Sequence, residues 1–276
     1  MSELPSLREV VDKYELMAKK SLGQNFLLDQ NITDKIIRLS LEAQKKANFA
    51  GESVYEIGPG PGGLTRAILK AEPNLLTVIE MDTRCIQIMR DLQDSGYDRL
   101  RIVEGDALKY DFDADDFAPK NIVSNLPYNI SVPLLTMWLK NITAYNSLTL
   151  MFQKEVAERI TAEPNSKIYG RISVLAQLTC RIKTLMNLNP NCFTPAPKIW
   201  STVLLFQPRE DVPEIALLQK VEKLTEAAFG QRRKMIRQSL KSVPNLEKIC
   251  ADLNIETTAR AENLTPQQYL QIAQKI

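Results

Sequence analysis

The sequence contains no histidine among its 276 residues. Catalytic triads built on histidine, cysteine–histidine nucleophiles, HExxH zinc sites and imidazole acid–base catalysis are therefore excluded. Any chemistry must rely on carboxylates, amides, hydroxyls and the backbone.

Cysteine is also scarce, and its four residues are Cys85, Cys180, Cys192 and Cys250. They lie far apart and form no CxxC pair, which argues against a zinc centre and against a secreted disulfide framework. We expect reduced, mostly buried thiols and no metal site.

A run of eighteen apolar residues is likewise missing, and residues 1–14 mix acids and bases without an apolar block. This pattern predicts neither a membrane span nor a signal peptide, so we expect a cytoplasmic protein with no membrane partner. With 44% hydrophobic and 25% charged residues, the chain can bury a large core.

Short β-branched and aliphatic runs alternate with helical patterns through the first three quarters of the chain. The predicted strands are residues 53–57, 75–79, 101–103, 121–124, 148–152, 184–188 and 202–206. The predicted helices between them are residues 32–46, 64–70, 83–93, 132–139, 154–161 and 173–179. The alternation predicts an α/β fold with a mainly parallel sheet covered by helices on both faces.

The pattern changes after Pro208, where no strand signal remains. Helices are predicted at residues 215–229, 232–242, 246–253 and 266–275. We therefore predict a sheet domain at 1–208 and a smaller, all-helical domain at 209–276.

A glycine-rich turn joins the first predicted strand of the sheet to a helix, in the sequence VYEIGPGPGGLTRAIL. Its glycines let the backbone approach a ligand closely. Alone, this loop is compatible with a dinucleotide, with S-adenosylmethionine or with a mere tight turn.

Polar residues at the ends of the next three strands sharpen this interpretation. Glu80, Asp106 and Asn125 follow successive strands, and an acid in the position of Glu80 suits the two hydroxyls of a ribose. Glu56 would repel a phosphate and suits the positive end of S-adenosylmethionine better. The alternative for Glu80 and Asp106 is a helix-capping role.

The tetrapeptide Asn125-Leu126-Pro127-Tyr128 is the most specific signal in the chain. The Asn125 oxygen and the carbonyl of Leu126 or Pro127 can accept both N–H groups of an adenine N6, while Tyr128 offers a flat face to the base. The alternative is a plain strand-ending turn. Phe193 is a candidate for the other face of the base, or else a core anchor.

A basic run without acids, QRRKMIRQSLK, contains Arg232, Arg233, Lys234, Arg237 and Lys241. On a helix, the spacing of four residues would align Arg233, Arg237 and Lys241 as one positive stripe suited to phosphates. A solvated helix face is the other interpretation.

Taken together, these motifs resemble the ribosomal RNA adenine dimethylases of the small-subunit type, also called the KsgA or RsmA family. The matching segments include GQNFL (23–27), EIGPGPGGLT (56–65), VIEMD (78–82), GDAL (105–108), NLPYNIS (125–131), FTPAPKIWS (193–201) and FGQRRKMIRQSL (229–240).

The resemblance implies a Rossmann-like methyltransferase domain with S-adenosylmethionine as cofactor. The cofactor contacts it implies are Asn25, Leu27, Gly58, Glu80, Asp106 and Asn125. It also implies two methylations at N6 of each of two adjacent adenosines near the 3′ end of small-subunit RNA, within an assembling ribosomal particle. Given this substrate, the basic run is expected to bind RNA, and we expect a monomer.

Three other functions remain open from the sequence. A methylase of large-subunit RNA would share the cofactor motifs, although YGRISV, FTPAPKIWS and FGQRRK favour the small-subunit type. A nucleic-acid-binding relative without catalysis is disfavoured by the intact NLPY tetrapeptide. A nicotinamide-dependent dehydrogenase would need a proton donor that the sequence does not offer.

Overall fold

The computed structural model describes residues 4–16, 24–114 and 119–276. Gly23, the first residue of the GQNFL segment, lies outside this part of the chain.

The described residues form nine strands. They are β1 (Phe26–Leu27), β2 (Ser53–Ile57), β3 (Leu75–Glu80), β4 (Leu100–Glu104), β5 (Lys120–Asn125), β6 (Tyr145–Gln153), β7 (Cys180–Leu188), β8 (Phe193–Thr194) and β9 (Ser201–Pro208). All seven predicted strands are present. The short strands β1 and β8 carry no sequence signal, because two residues are too few to show a period.

The helices of the described residues are α1 (Leu7–Lys13), α2 (Gln30–Ala43), α3 (Gly63–Lys70), α4 (Thr83–Asp94), α5 (Ser131–Lys140), α6 (Lys154–Ile160), α7 (Arg171–Thr179), α8 (Ile215–Gly230), α9 (Ile236–Ser239), α10 (Leu246–Asp252) and α11 (Pro266–Gln274). Side-chain capping determines where several of these helices begin. Asp29 and Asp82, for example, cap α2 and α4 by accepting backbone N–H groups.

Seven strands form one sheet in the order β4-β3-β2-β5-β6-β9-β7. The five strands from β4 to β6 are parallel, and β9 runs antiparallel to β6. Strand β2 is buried along its whole length, as expected for a parallel strand covered on both faces. The predicted α/β fold is confirmed, and its parallel strands bring their carboxyl ends to one edge of the sheet.

The chain divides into two compact units. The first comprises Met1–Leu135, Ala144–Lys154 and Lys183–Gln207, and the second comprises Thr136–Thr143, Glu155–Ile182 and Pro208–Ile276. The second unit thus includes α7 as well as the helices after residue 208. The reason is that Val174 and Leu178 of α7 share one buried core with Leu224 of α8 and Ile272 of α11.

The helix predicted at residues 232–242 is wrong. Helix α8 ends at Gly230, a turn follows, and α9 is a single turn from Ile236 to Ser239. Here the backbone N–H of Ile236 donates to the Ala259 carbonyl at 2.7 Å, and that of Arg237 donates to Thr257 at 3.2 Å. These bonds to a distant segment replace helical ones, so the basic residues do not form a stripe on one continuous helix.

Across the described residues, no helix combines the length and the apolar character that a membrane crossing requires.

Candidate active site

A cavity of about 300 Å³ opens at the carboxyl ends of the parallel strands. Asn25, Leu27, Gly58, Glu80, Asp106 and Asn125, the six residues expected to contact the cofactor, all line it. Leu126, Pro127 and Tyr128 line it as well. The structure therefore brings together the predicted cofactor residues and residues 125–128, because β2, β3, β4 and β5 end at the same sheet edge and β1 places Asn25 and Leu27 beside it.

The glycine-rich turn between β2 and α3 forms the floor of this cavity. Gly58, Gly60 and Gly62 have φ angles of 67°, 55° and 89°, which side chains rarely adopt. A Cβ on Gly60 would lie 2.9 Å from the ring of Phe26, and one on Gly63 would lie 2.6 Å from the Leu27 carbonyl oxygen. The turn is thus packed directly against β1, which places Asn25 and Leu27 beside it.

We expect Gly63→Ala to destabilise the protein, because the new methyl group would push into the backbone of β1. Overpacking of this kind costs about 1–3 kcal/mol of unfolding free energy. Gly230→Ala is the matched control, since a Cβ there meets nothing within 4 Å. Urea unfolding of both variants tests this, and equal stability would contradict the packing described.

Glu80 ends β3 and is 7% exposed. Its Oε1 accepts the backbone N–H groups of Met81 at 2.7 Å and Asp82 at 2.9 Å. The cap of α4 is Asp82, not Glu80. Burial raises the pKa of Glu80, opposed by the backbone N–H groups that hold its carboxylate. The capping alternative therefore does not account for Glu80.

Asp106, by contrast, follows β4 and accepts the Leu108 backbone N–H at 3.0 Å. This local bond shapes the turn after Gly105, and no helix of the described residues begins there, so the helix-capping alternative does not apply to Asp106. Its position in the cavity wall is compatible with a second, ligand-directed role.

Glu56 lies beneath the cavity and is 2% exposed. Thr65 donates a hydrogen bond of 2.7 Å to its Oε2. Burial raises the pKa of Glu56 to about 8, and the negative charge of Glu80 adds to the effect. Glu56 is therefore largely protonated at neutral pH in the protein without ligand.

We expect the contribution of Glu56 to the stability of the ligand-free protein to fall as the pH rises from about 4.5 to about 8 and to level off above that. Because the pKa of Glu56 is higher in the folded than in the unfolded state, its contribution is fully present below about 4.5 and lost as pH passes about 8. Glu56→Gln should flatten this decline, leaving only the part due to Glu80. Melting temperatures between pH 5 and 9 test this.

The control for that series is Glu104→Gln, which neutralises an exposed acid at the end of β4. The pH profile of its melting temperature should match that of the wild type. The melting temperature of Glu56→Gln should differ from the wild type by about 2–4 °C for each kcal/mol of unfolding free energy that the substitution regains. Identical profiles for all three proteins would contradict a buried, protonated Glu56.

The charge of the cavity discriminates between ligands. Its lining contains Glu56, Glu80 and Asp106, and no lysine or arginine among the described residues. A pyrophosphate would face the acids Glu80 and Asp106 without a basic side chain to balance them, whereas the ammonium and sulfonium groups of S-adenosylmethionine would be attracted. The residues present therefore fit S-adenosylmethionine and do not fit a dinucleotide.

Asn125 is the last residue of β5 and is half-buried at the cavity wall. Its Nδ2 donates to the backbone carbonyl of Asn25 at 3.1 Å. Because a carbonyl can only accept, this bond fixes which side of the amide is nitrogen and turns Oδ1 the other way. One hydrogen-bond acceptor at the cavity is thereby oriented.

Hydrogen bonds to residues outside it hold the rest of the NLPY turn (residues 125–128) in place. Ile130 donates its N–H to the Pro127 carbonyl at 3.1 Å, and the Ser131 hydroxyl donates to the Tyr128 carbonyl at 3.0 Å. The Tyr128 hydroxyl lies 2.9 Å from that of Ser201. Ser201 was not predicted, since it is 73 residues away from Tyr128 and no local pattern links them.

Phe193 is not among the residues that line the cavity. It is 4% exposed and belongs to the core cluster that includes Leu27, with which it pairs in the β1–β8 ladder. In the protein without ligand, Phe193 therefore packs in the core, where it supports the segment that carries Asn25. Its place against a bound base stays a prediction.

The basic run divides into two kinds of residue. Arg232 binds Glu262 at 2.8 Å, lies over the ring of Phe229 and donates to the Ser166 carbonyl. Arg233, Lys234, Arg237 and Lys241 are exposed. The side chain of Arg232 therefore ties two segments together, and the other four present their charge to solvent.

The comparison with known families decides between the remaining alternatives. The model of the ribosomal RNA adenine dimethylase family matches residues 15–276 of this chain. The chain belongs to the ribosomal RNA adenine dimethylases. This membership confirms the predicted enzyme class and its cofactor, S-adenosylmethionine.

Individual relatives of this dimethylase agree. Ribosomal RNA small subunit methyltransferase A of Rhodospirillum rubrum is 44% identical over 273 residues, which cover 99% of this chain and 93% of that protein. The protein of the same name from Brucella anthropi is 46% identical over 275 residues, covering 98% and 96%.

Solved structures resemble this dimethylase along most of its length. A dimethyladenosine transferase from Plasmodium falciparum has a TM-score of 0.72 and 26% identity, covering 88% of this chain and 94% of that one. The 23S rRNA methyltransferase ErmE has a TM-score of 0.68 and 22% identity, covering 91% and 99%. The second likeness is one of fold alone, and the two together confirm the Rossmann-like architecture.

Proposed function

We propose that this dimethylase transfers methyl groups from S-adenosylmethionine to N6 of two adjacent adenosines near the 3′ end of small-subunit ribosomal RNA. We further propose that it acts as a cytoplasmic monomer on an assembling ribosomal particle. The observation that carries the proposal is the NLPY turn in the wall of the same cavity as Glu80 and the glycine-rich turn. One cavity can thus hold both a nucleoside cofactor and an amino-bearing base.

Asn125 and the backbone beside it would prepare the amino group. The lone pair of an adenine N6 is delocalised into the ring, which makes the nitrogen a poor nucleophile. Asn125 Oδ1 and the carbonyl oxygen of Leu126 or Pro127 would accept hydrogen bonds from its two N–H groups. These hydrogen bonds would favour a pyramidal nitrogen. When bound, S-adenosylmethionine supplies an electrophilic methyl group, so positioning carries most of the rate.

The same residues can support a second methylation of the same nitrogen. The singly methylated nitrogen retains one N–H, so one of the two acceptors can still orient it. Because the proton released is acidic once the nitrogen is alkylated, no strong base is needed, in agreement with the absence of histidine. Tyr128 can keep the same ring stacked in both rounds.

The residues of each predicted set enter this proposal differently. Asn25, Leu27, Gly58, Glu80 and Asp106 would hold the cofactor, and Asn125 would serve both cofactor and base. The tight packing of β1 on the glycine-rich turn supports a shared role for Asn25 and Leu27. Arg233, Lys234, Arg237 and Lys241 would contact phosphates, and Arg232 would support them through its bond to Glu262.

A methylase of large-subunit RNA is the rival function, because such an enzyme would share the cofactor motifs of this chain. The name shared by the Rhodospirillum and Brucella relatives supports the small-subunit substrate. The test uses labelled S-adenosylmethionine with undermethylated small subunits and, in parallel, large subunits. Digestion should yield labelled N6,N6-dimethyladenosine from the small subunits alone, and label confined to large subunits would overturn the proposal.

We expect the double variant Arg233→Ala/Arg237→Ala to bind RNA more weakly and with a flatter salt dependence. Each lost phosphate contact reduces the slope of log K against log salt by about 0.7–0.9. Arg232→Ala is the contrasting variant, because its loss should lower the melting temperature rather than the slope. Filter binding at several salt concentrations measures this, and an unchanged slope in the double variant would count against these phosphate contacts.

A further inference from the structure

We propose that Ser201 is a positioning residue for the methylation reaction: its hydroxyl holds the ring of Tyr128 in the orientation that stacks the target adenine. The inference rests on the proposed function. It adds a residue that lies outside the cavity and that the motif chemistry does not explain.

The contact that carries this inference is specific and shielded. Ser201 has no exposed surface, and its hydroxyl oxygen lies 2.9 Å from that of Tyr128, whose ring lines the cavity. Burial raises the pKa of Tyr128, so its hydroxyl stays protonated at neutral pH and can still donate. Because Ser201 is fully buried, its hydroxyl needs a partner within the protein, and the half-buried Tyr128 hydroxyl supplies one.

The sheet makes Ser201 a rigid anchor. Ser201 begins β9 and pairs with Gln153 of β6, while Asn125 at the end of β5 pairs with Met151 of the same strand. Strands β5 and β9 therefore flank β6 and lie about 10 Å apart. Tyr128 lies three residues beyond the end of β5, and its hydroxyl reaches that of Ser201 at the start of β9.

Tyr128 is consequently held at both ends. The Ser131 hydroxyl fixes its backbone carbonyl at 3.0 Å, and Ser201 fixes the far end of its ring. Without Ser201, the ring could rotate away from the cavity. Binding of the base would then have to order the ring, and the lost conformational entropy would weaken binding. The acceptors at Asn125 would remain in place, because their bonds do not involve β9.

A double-mutant cycle with Ser201→Ala and Tyr128→Phe tests the inference on the full chain. Each single variant should lower kcat/KM for undermethylated small subunits by about ten-fold, as expected for one buried hydrogen bond. Affinity for S-adenosylmethionine should not change. The double variant should be no worse than either single variant, because both substitutions remove the same bond.

Thr202→Val is the matched structural control. Thr202 follows Ser201 in β9 and donates a hydrogen bond of 2.7 Å to Asn187, away from Tyr128. It should lower the melting temperature as much as Ser201→Ala does and leave the kinetic constants for RNA unchanged.

The outcomes are separable. Losses that add in the double variant, or a Ser201→Ala enzyme with wild-type kcat/KM, would overturn the positioning role while leaving the proposed function intact. A wild-type protein that yields no labelled dimethyladenosine would overturn the proposed function and this inference together.

Discussion

Asn125→Ala should lower the rate of methyl transfer by about 100-fold or more, the usual effect of losing one preorganised hydrogen-bonding group at a reacting centre. The Asn125 amide is already turned by the Asn25 carbonyl, so its Oδ1 needs no reorganisation to accept an N–H bond. Alanine removes that acceptor and also the link to the segment of Asn25. The rate should therefore fall far more than the affinity for RNA.

The measurement is a single-turnover assay with labelled S-adenosylmethionine and undermethylated small subunits. Asn191→Ala is the matched control, since Asn191 is exposed and is not among the residues lining the cavity. Asn125→Asp adds information, because it keeps oxygen acceptors but places a carboxylate against the Asn25 carbonyl. Equal incorporation by wild type and Asn125→Ala would refute the role given to this residue.

The second large effect is expected at Glu80. Glu80→Ala should weaken the binding of S-adenosylmethionine by about 10- to 100-fold, because each hydrogen bond to a charged group contributes about 1.5–3 kcal/mol. The Met81 and Asp82 N–H groups hold the carboxylate in place at the end of β3, so it is ready to accept the two hydroxyls of a ribose. Titration calorimetry with the cofactor and with its demethylated product measures the loss.

A ligand variant identifies which contact Glu80 makes. A 2′-deoxy analogue should bind the wild type more weakly than the parent compound does, and Glu80→Ala should no longer distinguish the two. Glu104→Gln is the control, because Glu104 is the register partner of Glu80 on β4 yet is exposed. If Glu80→Ala retained full discrimination, the ribose contact would be wrong.

The cavity and the pH behaviour of the protein follow from the same arrangement of acids. The negative charge of Glu80 contributes to the raised pKa of Glu56, and a cationic ligand would be attracted to that charge. This explains how a cavity without a basic residue in its described lining can still be selective. The same acids that favour a sulfonium and an ammonium group disfavour phosphates.

Much of the fold could be predicted from local patterns. Strands such as β2 and β3 are short runs of apolar and β-branched residues with glycine or polar residues at their ends. In a parallel sheet such ends converge, so the positions of Glu80, Asp106 and Asn125 in one cavity followed from the order of elements alone.

Other features depended on contacts between distant segments. The basic run has a helical period, yet the N–H groups of Ile236 and Arg237 donate to the Ala259 and Thr257 carbonyls, so the run does not form one continuous helix. The packing of Phe193 on Leu27 likewise joins segments far apart in the chain. Neither interaction can be predicted from the residues nearby in sequence.

The sequence by itself therefore determined the fold class and the convergence of Glu80, Asp106 and Asn125, because these depend on residue type, spacing and the order of elements. The enzyme class and the cofactor contacts at Asn25 and Leu27 came from the family resemblance. The tertiary structure alone decided that Phe193 packs with Leu27 in the core, that Arg232 is bound to Glu262, and that the Ser201 hydroxyl lies beside that of Tyr128. In each case the deciding term is a hydrogen bond, ion pair or packing contact with a remote partner, and the energy of such a contact depends on positions that only the folded chain defines.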